Sequence, residues 1–212
     1  MKKYFITGTD TDIGKTFVSL NLCKSLKKSG LNVGYFKPLQ SGAYIKNNIL
    51  MAPDIEEIKK QLLIPCGCSY LLKGEVSPYL ASKLSNTDID IEKIKNDIEL
   101  FSNPLDITII EGAGGLYCPM AKGKTFADLI KKLNTPCIIV TTPDLGRLNH
   151  TLMTIDCAKQ KGIEIKGIII NKMPKSPNLS QIHFIEELKD FTNIPILAVI
   201  PEDINAELNI NL

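Results

Sequence analysis

The sequence predicts a doubly wound α/β fold, with a mostly parallel sheet and helices on both faces, and three observations predict it. Short apolar runs such as Ile107–Ile110, Cys137–Thr141 and Ile165–Ile170 lack the alternation of half-exposed strands, as strands covered on both faces do. Helical periods separate these runs, which is what crossovers between parallel strands require. Residues 4–17, YFITGTDTDIGKTF, pass from an apolar strand through a loop into a helix, and such sheets bind ligands at that kind of corner.

Each element follows from its own signals. Tyr4–Thr7 reads as the first strand, and Phe17–Ser29 as an amphipathic helix ended by Gly30. Val33–Lys37 is a second strand that Pro38 is expected to stop. The loop from Tyr44 to Met51 carries no clear assignment, and a helix is expected over Asp54–Leu63. Isoleucines 89, 91, 94 and 98, with Phe101, mark a helix leading into the strand Ile107–Ile110. Cys137–Thr141, Ile165–Ile170 and Ile196–Ile200 are further strands, with helices around Thr151–Lys161 and Ser180–Phe191 between them. There is no internal repeat, low-complexity segment or linker, and 212 residues suit one domain spanning 1–212.

Composition narrows the function classes. A net charge of +2 without a basic cluster speaks against nucleic acid and against a membrane surface as partners. The longest apolar runs are strand-sized, too short to span a bilayer. The first strand begins at the N-terminus without a signal-peptide pattern, so a cytoplasmic protein is expected. The six cysteines have no framework spacing, and Cys66-Gly67-Cys68 is too tight for the usual zinc pair, with His150 and His183 far off in sequence. Reduced thiols without a thiolate metal site are expected.

The loop ending Gly14-Lys15-Thr16 is suited to a nucleoside triphosphate. A helix starting near Lys15 points unpaired amides and its positive dipole end at the loop. The lysine reaches the β- and γ-phosphates, and the threonine hydroxyl can sit on Mg²⁺. The spacing is a variant of the Walker A phosphate loop, because Thr9 stands where the first glycine would be and Gly8 lies one residue early.

In such a sheet the residues just past each strand collect at one edge. Glu111, after Ile107–Ile110 and before a glycine-rich turn, reads either as an ordinary strand-end acid or as an acid compensated by a phosphate-bound divalent cation. Lys37, at the end of its strand, is either solvated or a second ammonium beside Lys15 for an anion-rich transition state. Asp54 opens a helix after Pro53, where a helix cap is the plainer reading.

The sequence resembles the dethiobiotin synthetases. The likeness rests on GTDTDIGKT at 8–16, Lys37-Pro38 with Ser41-Gly42, SPYLAS at 77–82, EGAGG at 111–115, LGRLNHT at 145–151, and Ile170-Asn171 followed by Ile200-Pro201. These blocks run in family order across almost the whole chain. The resemblance implies closure of the ureido ring of dethiobiotin from 7,8-diaminononanoate and CO₂, with ATP consumed and Mg²⁺ as cofactor. A carbamate at N7 would be phosphorylated by ATP and then attacked by N8, giving ADP and phosphate.

The same likeness assigns roles. Lys15 and Lys37 would neutralise phosphoryl and carbamate charge, and Thr11 and Ser41 would hydrogen-bond the substrate or its carbamate. Thr16, Asp54 and Glu111 would hold the metal, which lifts Asp54 from cap to ligand. ATP would lie along Asp12, Ile13, Gly14, Lys15, Thr16 and Phe17, with Gly112, Ala113 and Gly114 near the terminal phosphate. Asn171, with Lys172, would read the adenine edge, and Pro201, Glu202 and Asp203 would line the base pocket. Gly146, Arg147, Leu148 and Asn149 would reach the neighbouring subunit's substrate site, which implies a homodimer. Asp12 stands where many members have Glu, Arg147 falls at a variable position, and Glu207 is a possible nucleotide contact in a divergent C-terminal segment.

Three rivals stand beside this reading. A partner-regulated ATPase switch shares the sheet and a variant phosphate loop, but its signature lysine would fall at position 10, where Asp10 stands. A glutamine-dependent ligase of the cobyrinate type needs an ammonia-generating domain for which 212 residues leave no room. A non-catalytic nucleotide-binding module would not need Lys37, Ser41 and Glu111 together at the γ-phosphate.

Overall fold

The unalternated apolar runs become strands of one parallel sheet in the computed structural model, which describes residues 1–202. The chain runs β1 (Lys2–Gly8), α1 (Lys15–Lys28), β2 (Val33–Gln40), the hairpin β3 (Tyr44–Lys46) and β4 (Ile49–Met51), then α2 (Pro53–Gln61), β5 (Cys66–Leu71) and α3 (Pro78–Leu84). It continues through α4 (Ile91–Ser102), β6 (Ile107–Glu111), the hairpin β7 (Pro119–Ala121) and β8 (Lys124–Thr125), and α5 (Phe126–Leu133). The last elements are β9 (Cys137–Thr141), α6 (Arg147–Gln160), β10 (Ile165–Met173), α7 (Leu179–Phe191) and β11 (Ile196–Pro201).

Seven strands pair in the order β11-β10-β9-β1-β6-β2-β5. β6 and β9 are buried at every position because helices cover both faces of the sheet. One face packs Phe5, Phe36 and Ile110 with residues of α4, α5, α6 and α7, such as Ile94, Phe126, Ile155 and Phe184. The other packs Tyr4, Ile6, Tyr35 and Ile109 with Val18 and Leu22 of α1 and Ile58 of α2. Adjacent residues on a strand serve opposite cores, the period-2 consequence of the pleat.

Pro38 does not stop the second strand. β2 runs to Gln40, because its pairing with β6 ends at Phe36 while its pairing with β5 continues. Past Phe36 the strand has one neighbour, an edge-like place where a missing N–H is tolerated. Strand β5, helices α3 and α5 and the two hairpins are additions to the sequence reading. β5 is half-buried and pairs with β2 on one side, so its residues give no continuous apolar run. Cys66-Gly67-Cys68 is its first half, and Gly67 makes room for the Phe36 ring.

A Cβ on Gly67 would lie 2.6 and 2.7 Å from two Phe36 ring atoms and 3.0 Å from the Phe101 ring. Those two rings meet edge to face with centroids 5.1 Å apart. Gly67→Ala is therefore expected to lower folding stability by about 1–3 kcal/mol, read from the urea midpoint.

Candidate active site

β1 ends between its two partners β6 and β9, so the loop after it rises from the centre of the sheet. Gly14 closes that loop at φ 85°, a left-handed conformation, and a Cβ there would lie 2.2 Å from the Asn171 side-chain nitrogen. Only glycine fits on both counts. Three side chains from outside the loop pin its backbone or side chains. Arg147 donates to Asp10 Oδ2 at 2.6 Å, Lys172 Nζ to the Asp12 carbonyl at 2.7 Å, and Asn171 Nδ2 to the Ile13 carbonyl at 2.8 Å. Asp12 itself sits at φ 56°, where a non-glycine residue is strained, and the bond from Lys172 helps hold it there.

Lys15, the first residue of α1, turns its ammonium to the Asp10 carbonyl at 2.8 Å. Burial pulls it below the ordinary lysine range, Glu111 opposes that pull, and nearby Lys37 adds to it. Lys37 is buried within β2 and donates to Glu111 Oε1 at 2.8 Å, to the Gly112 carbonyl at 3.1 Å, and pairs with Asp54 Oδ2 at 2.5 Å. Burial alone would depress it, but Glu111 and Asp54 outweigh burial and push it up to about 12. It is a cation throughout the neutral range.

Glu111 is 1% exposed and answers the cost of its burial with three donors. Thr16 Oγ1 reaches Oε1 at 2.9 Å, Lys37 shares that oxygen, and the Tyr35 hydroxyl donates to Oε2 at 2.9 Å. Burial, and then Glu111, hold the Tyr35 phenol far above its usual range, so it stays a donor. Asp54 is not a helix cap: α2 has no side-chain cap, and the carboxylate turns instead to Lys37, while its backbone N–H meets Gln40 Oε1 at 3.3 Å.

Thr11, Asp12, Gly14, Lys15, Thr16, Lys37, Ser41, Asp54, Glu111, Ala113 and Gly114 line one cleft of about 820 Å³. Gly112 enters it through the carbonyl that accepts from Lys37, and Ile13 is buried. Asp54 and Glu111 meet at Lys37, and Thr16 bonds the same Glu111 oxygen; such hard oxygen donors are those magnesium takes. No group of three or more His, Cys, Asp or Glu suited to a metal occurs among the described residues.

Other expected residues stand apart from this cleft. Phe17 lies on α1 without lining it and is 37% exposed, while Asn171 and Lys172 brace the loop. Pro201 ends β11, and the Glu202 N–H meets the Met173 carbonyl. Asp203 and Glu207 lie outside the described residues. On α6, Leu148 packs against the core and Asn149 turns to Met153, while Arg147 turns to its own chain's phosphate loop. Beside α6 a second cavity of about 390 Å³ is lined by Asp10, Tyr117, His150 and Met153 and shares Cys118 with the cleft.

A family model described as an AAA domain matches residues 2–207. The ATP-dependent dethiobiotin synthetase BioD of Methanococcus vannielii is 39% identical over 205 residues, covering 92% of this chain and 92% of that protein. The enzyme of the same name from Anoxybacillus flavithermus is 35% identical over 208 residues, covering 97% and 94%. The chain belongs to the dethiobiotin synthetase family. Solved structures agree on the fold of this family member. A ParA family ATPase from Chlorobium tepidum matches with TM-score 0.61 at 17% identity, covering 95% of this chain and 85% of that one. The septum site-determining protein MinD complexed with Mg-ADP from Pyrococcus horikoshii matches with TM-score 0.60 at 21% identity, covering 95% and 82%.

Several residues of this dethiobiotin synthetase-family site escape the sequence reading. Tyr35 was legible in principle, because it lies two residues before Lys37 and so on the same face of β2. Gln40, which holds the Asp54 amide, and the wall residues Glu75 and Val76 carry no local signal, whereas Ser77 and Pro78 open the SPYLAS block without a site role being read from it. Glu111→Ala removes the more deeply buried of the two carboxylates that answer the Lys37 ammonium and is expected to cost about 3–5 kcal/mol of stability. Tyr35→Phe removes one donor from the same carboxylate and is expected to cost about 1–3 kcal/mol. Urea unfolding of both variants checks that order.

Proposed function

We propose that this protein is an ATP-dependent dethiobiotin synthetase that closes the ureido ring from 7,8-diaminononanoate and CO₂. The observation that carries the proposal is the Lys37 ammonium buried between Glu111 and Asp54 in the same cleft as Lys15, Thr11 and Ser41. A carbamate oxygen is an anionic nucleophile approaching an anionic γ-phosphate, so positioning and positive charge must lower the barrier, and no covalent enzyme intermediate is required.

The N7 amine adds to CO₂ and loses a proton, giving a carbamate. A carbamate oxygen attacks the γ-phosphorus, and the bond to the ADP oxygen breaks. The N8 amine then attacks the carbamoyl carbon of the mixed anhydride, phosphate leaves with the former carbamate oxygen, and a second proton is released. Lys15 and Lys37 hold the converging anions, and the hydroxyls of Thr11 and Ser41 orient the carbamate. Magnesium, held by Thr16, Asp54 and Glu111, would supply further neutralisation of the triphosphate.

Asn171 Nδ2 is committed to the loop, and its Oδ1 makes no hydrogen bond among the described residues, which leaves that atom for the base. Gly146, Leu148 and Asn149 are assigned to the substrate site of a second copy. That assignment goes with a homodimer, and Leu145, which directly precedes these residues, is 89% exposed. No helix among the described residues is long and apolar enough to cross a membrane, and a cytoplasmic enzyme is the working assignment.

Incubation with the diamine, bicarbonate, Mg²⁺ and ATP should yield dethiobiotin by mass. ATP hydrolysis without that product, stimulated by DNA or lipid, would favour the switch reading instead. Lys15→Gln and Lys37→Gln are each expected to reduce turnover by about a hundredfold or more while circular dichroism stays native. Near-normal turnover in Lys37→Gln would remove that residue from the reacting centre.

A further inference from the structure

Arg147 breaks a local rule. It is the first residue of α6, whose first turn holds no acidic residue, and a cation there opposes the positive end of the helix dipole. Residues that break local rules are held by something else, and such places gather at functional sites. What holds Arg147 is Asp10, 137 positions away in sequence, through a bond of 2.6 Å from its guanidinium to Oδ2.

Asp10 is fixed from both sides of its carboxylate. The Thr11 N–H donates to Oδ1 at 2.8 Å, and Arg147 takes Oδ2. Its backbone carbonyl is the acceptor for Lys15 Nζ. A guanidinium on α6 is thus linked through one residue to the phosphate-loop lysine. The neighbouring His150 Nδ1 stands 3.3 Å from the same guanidinium nitrogen, where it limits the rotamers open to Arg147.

We infer that Arg147 is a positioning residue for the phosphate loop: by gripping Asp10 it fixes the carbonyl that holds the Lys15 ammonium ready for a triphosphate. The Asp10 carboxyl lies below the ordinary aspartate range, chiefly because of the hydrogen bond from Arg147 and then that from the Thr11 amide, so it is ionised at neutral pH. The inference rests on the nucleotide part of the reading above and does not depend on ring closure. It also assigns Arg147 to its own chain's site, leaving the contact with a second copy to Gly146, Leu148 and Asn149.

The test is ADP binding in the presence of Mg²⁺, by calorimetry on the full chain, for wild type, Arg147→Met, Asp10→Asn and the double variant. Arg147→Met is expected to weaken ADP binding about threefold to fivefold at low salt, the scale of a partly exposed ion pair. The loss should shrink at high salt, because such a pair is screened, and Arg147→Lys should recover part of it. The double variant should bind no more weakly than the weaker single variant. The KM for the diamine at saturating ATP should not change.

Unaltered ADP affinity in Arg147→Met overturns the inference, as do fully additive losses in the double variant. A raised diamine KM with intact ADP affinity also overturns it and makes Arg147 a reader of substrate. Wild-type protein that binds ADP but makes no dethiobiotin would defeat the ring-closure proposal, while the Arg147 comparison would still decide the present one. Arg147 is partly exposed, so folding is not expected to fail, and circular dichroism of each variant verifies this.

Discussion

The cleft is organised around one buried carboxylate. Glu111 at the end of β6 receives Thr16 from α1, and Tyr35 and Lys37 from β2, while Lys37 in turn takes Asp54 from α2. A carboxylate removed from water is tolerated only when its lone pairs are answered, and here the answering groups come from separate elements. Satisfying Glu111 therefore fixes which face of β2 meets the cleft and how α2 enters, as well as where the first turn of α1 lies. The same bonds place an ammonium, a hydroxyl and two carboxylates within reach of one point, so the condition for burying the acid is also the condition for assembling the site.

The phosphate loop obeys a complementary constraint. It lacks the usual first glycine, and its residue at position 12 adopts a left-handed conformation without being glycine. Such a loop does not keep its shape by local preference alone. Asn171 and Lys172, at the end of β10, hold the Ile13 and Asp12 carbonyls, and α6 contributes Arg147 to Asp10. Donors fixed before the ligand arrives lower the ordering cost of binding, and electrostatic stabilisation of phosphoryl transfer depends on that preorganisation.

These two constraints explain what could be read from the sequence. Strands buried on both faces reveal themselves as unbroken apolar runs, so β6, β9 and β10 are legible, and the positions after them follow from topology. β5 is not, because its residues answer to one neighbour and to the Phe36 ring, and its glycine reads as a turn signal until that ring is seen. Pro38 misleads for a related reason: whether a proline ends a strand depends on which neighbours remain beside it, a fact held by β6 and not by β2. Within the site, Gly14-Lys15-Thr16 is a contiguous signal. The ambiguity at Asp54 is resolved by Lys37, 17 positions earlier and on a different element, so no local pattern could have decided between cap and ion pair.

The same sheet carries a ParA family ATPase and MinD at TM-scores of about 0.6, and a scaffold shared at that level does not choose the chemistry. The choice lies in charges added at its carboxyl edge. A switch ATPase of that kind would carry its signature lysine at position 10. This chain has an acid there, its carboxylate bound by Arg147 and its carbonyl by Lys15, so the pair of Asp10 and Arg147 adds little net charge. The buried ammonium groups of this cleft are Lys15 and Lys37, and Lys37 is itself answered by Glu111 and Asp54. In the proposed reaction two lysines beside the triphosphate would hold a carbamate and a γ-phosphate together, where hydrolysis has only one anion to hold.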